Sequence, residues 1–99
     1  MIRGTTPTLE FVIPFSVDQI AELFVSMAQN NKVVIDKDFD ECELSGNKIT
    51  VRLSQDDTLN FDDSINTEIQ VRIRTIDGNA LASKIIVVDT GRILKDGVI

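Results

Sequence analysis

The chain has 99 residues, 42% of them hydrophobic and 26% charged, with Gly 5 and Pro 2; this describes one ordered domain with a single core and excludes disordered, collagenous and low-complexity classes. His is absent and Cys42 is the single cysteine, which removes Ser-His-Asp and Cys-His nucleophiles, the commonest metal ligand, a thiolate zinc set and any internal disulfide. A net charge of −6 and a pI near 4.4 argue against nucleic acid as a partner, because that affinity rests on Lys and Arg displacing counterions from phosphate.

The opening Met1-Ile2-Arg3-Gly4-Thr5-Thr6-Pro7 lacks the apolar stretch of a signal peptide, and no apolar run approaches a membrane span. A soluble protein of a reducing compartment is expected, with no membrane partner. Leu9, Phe11, Ile13 and Phe15 then alternate with Thr8, Glu10 and Val12, the period of a strand with one buried face, and Pro14 marks an edge or an end. Over 16–29 two patterns compete. Ser16-Val17-Asp18-Gln19 has the form of a helix start, with Ile20, Leu23, Phe24 and Met27 at helical spacing. Ala21, Leu23, Val25 and Met27 also alternate, and Asn30-Asn31 before Lys32-Val33-Val34-Ile35 has the form of a hairpin turn. Local signals alone favour the helix, but a strand over about 21–29, preceded by a turn or a single helical turn over Ser16–Ile20, combines more readily with the rest.

Next come an acidic segment from Asp40 to Leu44, a turn at Ser45-Gly46-Asn47, and an alternating strand Lys48–Leu53. Gln55–Leu59 reads as a crossover with a helical turn, from which Leu59 and Phe61 plug the core. Ile65, Ile69, Val71 and Ile73 mark the longest strand, and Asp77-Gly78 is a type I′ hairpin signal. The return strand is Leu81–Val88, whose Ile85-Ile86-Val87-Val88 predicts burial on both faces. About seven strands joined mostly by short turns indicate an all-β fold, an antiparallel immunoglobulin-like β-sandwich over 1–99 that manages without the disulfide and Trp of antibody domains. Residues 1–6 and 90–99 are possible arms: each end either packs on the sandwich or docks on another chain, with Ile2, Arg3, Val98 and Ile99 as contact candidates.

No catalytic constellation or cofactor site emerges. Asp36, Asp38 and Asp40 are weak candidates for a metal, since their loop would place Glu41 where an EF-hand needs Gly; a charged solvated face explains them as well. Asp56, Asp57, Asp62 and Asp63 read as ordinary flanks of a surface crossover. Cys42 lies between Glu41 and Glu43, whose charge disfavours a thiolate. Arg72 and Arg74 share a strand face with Gln70, a row that meets either an acidic partner or the domain's own carboxylates. The five phenylalanines, without Tyr or Trp, read as core.

Several stretches resemble small prophage-encoded proteins of Firmicutes: Met1–Thr8, Gly46–Val51 before Leu53-Ser54-Gln55, Thr58-Leu59 with Phe61, Ile69-Gln70-Val71-Arg72, and Ala80-Leu81-Ala82-Ser83. Those proteins are in turn similar to the N-terminal β-sandwich module of phage baseplate upper proteins. The resemblance implies a non-enzymatic virion or tail-assembly protein, made in the bacterial cytoplasm, whose partners are other phage structural proteins and copies of itself. Residues 1–99 include no stretch of the kind that bears a receptor-binding trimer, so a complete baseplate function is not expected of them, and the shared motifs read as turns and strands, so no ligand residues carry over. The alternative is a small acidic metal- or ligand-binding accessory domain.

Overall fold

A computed structural model describes residues 1–99. In chain order the elements are β1 (Thr8–Val12), a 3-10 turn at Val17–Gln19, β2 (Ile20–Gln29), β3 (Lys32–Asp38), a second 3-10 turn at Phe39–Glu41, β4 (Glu43–Ser45), β5 (Lys48–Arg52), α1 (Gln55–Leu59), β6 (Thr67–Thr75), β7 (Ala80–Ala82) and β8 (Ile86–Val88). They form two antiparallel sheets. One has the order β1-β5-β4; the other runs β3-β2-β6, with β7 and β8 both pairing the far side of β6. The protein is therefore all-β, as the alternation predicts.

Alternation won over helical spacing in 20–29 because β2 is a central strand, hydrogen-bonded to β3 on one side and β6 on the other. Leu23, Val25 and Met27 are fully buried, and Phe24 falls on the outer face. The helix-start signal is used locally, where the Ser16 hydroxyl accepts the Asp18 N–H at the 3-10 turn. Against β2 pack Ile69, Val71 and Ile73 of β6 and Ile49 and Val51 of β5. Each such aliphatic side chain contributes about 1.5–3 kcal/mol by leaving water. Phe61 is buried and closes the core from the loop after α1, while Leu59 is half-buried.

The turns show a reversal. Asn30 and Asn31 both have positive φ (52° and 64°), the two-residue type I′ geometry that fits the twist of a hairpin. At Asp77-Gly78, by contrast, only Gly78 is left-handed, at φ 92°. Gly78 N–H bonds Thr75 C=O and Thr75 N–H bonds Asn79 C=O, so the loop is Ile76-Asp77-Gly78, three residues with glycine in the last position.

The expected return strand over 81–88 is corrected to two pieces. Ala82 pairs Arg72, but Ile86 pairs Ile69, so one extra residue bulges between them. Ser83 makes the bulge: its backbone N–H bonds Val71 C=O, and its hydroxyl accepts the Val71 N–H at 3.0 Å in place of a backbone carbonyl. Burial on both faces is also corrected, because Ile85, Ile86 and Val87 are all exposed. The longest strand is β2, not β6, which starts at Thr67 instead of Ile65.

Of the two alternatives for the N-terminal stretch, packing on the body is the one observed. Met1 N–H bonds Asp89 C=O, Gly91 N–H bonds Met1 C=O and Arg3 N–H bonds Gly91 C=O, a short parallel bridge that continues the sheet beyond β8. The fully buried Thr58 donates its hydroxyl to Thr5 C=O at 2.8 Å.

Candidate functional site: a groove between two open sheet edges

The sheets are unequal. One has four ranks, the fourth shared by β7 and β8, and the other stops at three with β1 as its border. Between β1 on one side and β6, β7 and β8 on the other lies a groove of about 490 Å³, lined mostly by apolar side chains. Phe11, Ile13 and Phe15 form one wall, Leu81 and Ile86 the other, and Val71 and Ile73 the floor.

Leu81 sits opposite Ile73, and Ile86 opposite Ile69. Directly paired residues share a sheet face, so both point inward with the core. They are nevertheless 44% and 43% exposed, because no strand of the facing sheet lies over them. The border of β1 is equally open. Leu53 N–H bonds Pro7 C=O at 3.0 Å and Ile13 N–H bonds Asn47 C=O at 2.9 Å at the two ends of the β1·β5 ladder. Antiparallel alternation then turns the backbone groups of Leu9 and Phe11 toward β5 and those of Thr8, Glu10 and Val12 toward the open side.

The carboxylates singled out from the sequence do not converge. Asp36 accepts the Ser26 hydroxyl at 2.8 Å, and Asp38 caps the second 3-10 turn through the N–H groups of Asp40 and Glu41. Asp40 lies in that turn and is exposed. Asp57 joins a capping box with Ser54 and an ion pair with Lys37 at 3.1 Å; Asp62 accepts both Ser64 donors. No group of three or more His, Cys, Asp or Glu side chains is arranged to hold a metal ion. Burial first, then the charges of Glu41 and Asp38, push the Cys42 thiol up to about 11, so the charge argument holds with Asp38 in the place expected of Glu43.

Arg72 and Arg74 emerge on the outer face of β6. Arg74 approaches Glu22 at 4.0 Å, and Arg72 stands opposite Phe24 without an ion pair. Arg3 donates to Leu59 C=O at 3.0 Å and pairs with Asp96 at 3.6 Å, its Nε buried without a partner. Ile2 and Val98 are exposed. Ile99, though exposed, is clasped by Gln55, which accepts its N–H at 2.8 Å and donates to its C=O at 3.0 Å. The basic row and the terminal residues thus lie apart from the groove, whose walls carry the sequence pattern of core.

Comparison with known protein families, with curated proteins and with solved structures finds no match in any of the three.

Proposed function

We propose that the protein is a non-enzymatic assembly module of a phage particle, a tail or baseplate accessory protein that acts by holding another structural protein. The observation that carries this reading is the apolar groove between two unpaired strand edges. Soluble proteins ordinarily cover or charge such edges, since an open apolar edge templates pairing with another chain. The resemblance to prophage-encoded proteins supplies the setting, a virion assembled in the bacterial cytoplasm. The two antiparallel sheets fit a sandwich; β2 pairs β3 within one sheet, where an immunoglobulin domain divides its second and third strands between sheets.

The test is co-sedimentation of the protein with phage particles from producing cells through a density gradient, alongside the variants Leu81→Asp and Ile86→Asp. Both side chains are half-exposed, so the variants should fold. Wild type in the particle band and folded variants missing from it are the expected result. Wild type absent from purified particles would overturn the reading.

A further inference from the structure

We infer that the open rank beside β1 is filled by an extended strand donated by a different protein, apolar at alternate positions and carrying Lys or Arg opposite Glu10; this rests on the assembly reading above. Strand addition to a sheet edge draws affinity from main-chain hydrogen bonds and specificity from alternate side chains. Three features on this side of the molecule suit such an addition.

First, there is a vacant place. The fourth rank of the larger sheet has no strand facing it, and the inward-pointing Leu81 and Ile86 stay half-exposed for that reason. Second, there is a template: Thr8, Glu10 and Val12 turn their backbone groups to the vacancy. A strand paired there would lay every second side chain over Val71, Ile73, Leu81 and Ile86, in a groove of about 490 Å³. Third, there is a charge to be matched. Glu10 is the charged residue of the groove lining and joins no ion pair. It projects from the outer face of β1, where a residue of an added strand would lie directly opposite. Unlike charges at opposed positions favour pairing and like charges oppose it.

The same features disfavour a second copy as the occupant. Antiparallel pairing of two β1 strands over their full length sets Glu10 against Glu10. Self-pairing through β8 is cut short, because Met1–Arg3 already occupies the edge along Asp89–Gly91.

The inference is tested with labelled nine-residue peptides that alternate Val or Ile with Thr and carry Lys, Ser or Glu at the central Thr-type position, read by fluorescence anisotropy. The Lys peptide should bind wild type about fivefold more tightly than the Glu peptide. Glu10→Lys should invert that order. Val12→Pro removes one N–H that faces the vacancy, a change tolerated on an edge strand, and should weaken every peptide about tenfold or more while circular dichroism stays unchanged. Binding indifferent to the charge at residue 10 would overturn the inference. So would self-association that fills the groove with a second copy, or no peptide binding at all. If these occur while wild type, but not Leu81→Asp, still travels with particles, the assembly reading survives and only the strand assignment falls. If particles also lack the protein, both fall.

Discussion

Gln29 holds the backbone of Asp62 at both of its polar groups: its Oε1 accepts the Asp62 N–H and its Nε2 donates to the Asp62 C=O, each at 2.8 Å. The same Nε2 lies 3.0 Å from Ile65 C=O, and beside it Thr67 and Thr90 share a hydroxyl contact at 2.7 Å. Gln29, Thr67 and Thr90 are all buried. One carboxamide at the end of β2 thereby fixes the loop that leads into β6, the strand that floors the groove. Gln29→Leu keeps approximate size and leaves these partners buried without a bond, a cost of about 2–4 kcal/mol. Urea unfolding should show the midpoint lowered accordingly, and an unchanged midpoint would show that the loop is held by something else.

The N-terminal stretch is expected to be part of the folded body. Deleting Met1–Thr5 removes the Thr58 to Thr5 bond, the Arg3 to Leu59 bond and the bridge to Gly91. At about 1 kcal/mol for each bond, more where a partner stays buried, the truncated protein should lose about 3 kcal/mol or more. Retention of wild-type stability in thermal unfolding would return residues 1–5 to the status of a free arm.

Two carboxylates predict the acid limb of stability. Asp57 is pulled up by partial burial, but the Ser54 N–H and Lys37 outweigh that and hold it below its ordinary 3.8; the hydroxyl and N–H of Ser64 hold Asp62 below 3.8 as well. A depressed folded value means that the unfolded chain binds the proton first. The contribution is therefore complete above about pH 4 and is lost as pH falls through the folded values. Unfolding midpoints between pH 6 and 2 should drop below pH 4 in wild type and drop less in Asp57→Asn, whose midpoint at pH 6 is already lower.

Cys42 should be a poor nucleophile. With the thiol at about 11 against an ordinary 9.0, the thiolate fraction at pH 8 is about 100-fold below that of an unperturbed cysteine. Iodoacetamide labelling should be about tenfold or more slower than that of the urea-unfolded chain, because the more basic thiolate regains part of that loss in nucleophilicity. Equal rates would contradict the burial and charge assigned to it. The raised value also means that stability present below about pH 9 declines as pH rises toward 11.

Much of the fold is legible from local pattern. Period-two runs place β1, β5 and β6, and Asn30-Asn31 marks its hairpin, whereas over 20–29 alternation competes with helical spacing and pairing with β3 and β6 decides for the strand. The groove is not legible, for physical reasons that can be named. Ile85-Ile86-Val87-Val88 has the composition of a doubly buried strand, yet its burial depends on how many strands the opposite sheet contains, which no local period encodes. The break at Ser83 depends on a hydroxyl replacing a backbone acceptor, and Ser is compatible with an unbroken strand too. Gln29 shows no signal because its partners, Asp62, Ile65 and Thr90, lie 33, 36 and 61 residues away. Asp36 and Asp38 alternate as a ligand set would, while their actual work is a hydrogen bond to Ser26 and a turn cap.

The open border of β1 is the feature on which the functional account stands, and amide hydrogen exchange read by NMR addresses it residue by residue. Leu9, Phe11 and Ile13 face β5 and should be protected, while Thr8, Glu10 and Val12 should exchange rapidly in the free protein and become protected when the Lys peptide is added. Equal protection of all six amides in the free protein would contradict the account, because it would mean that the edge is already covered.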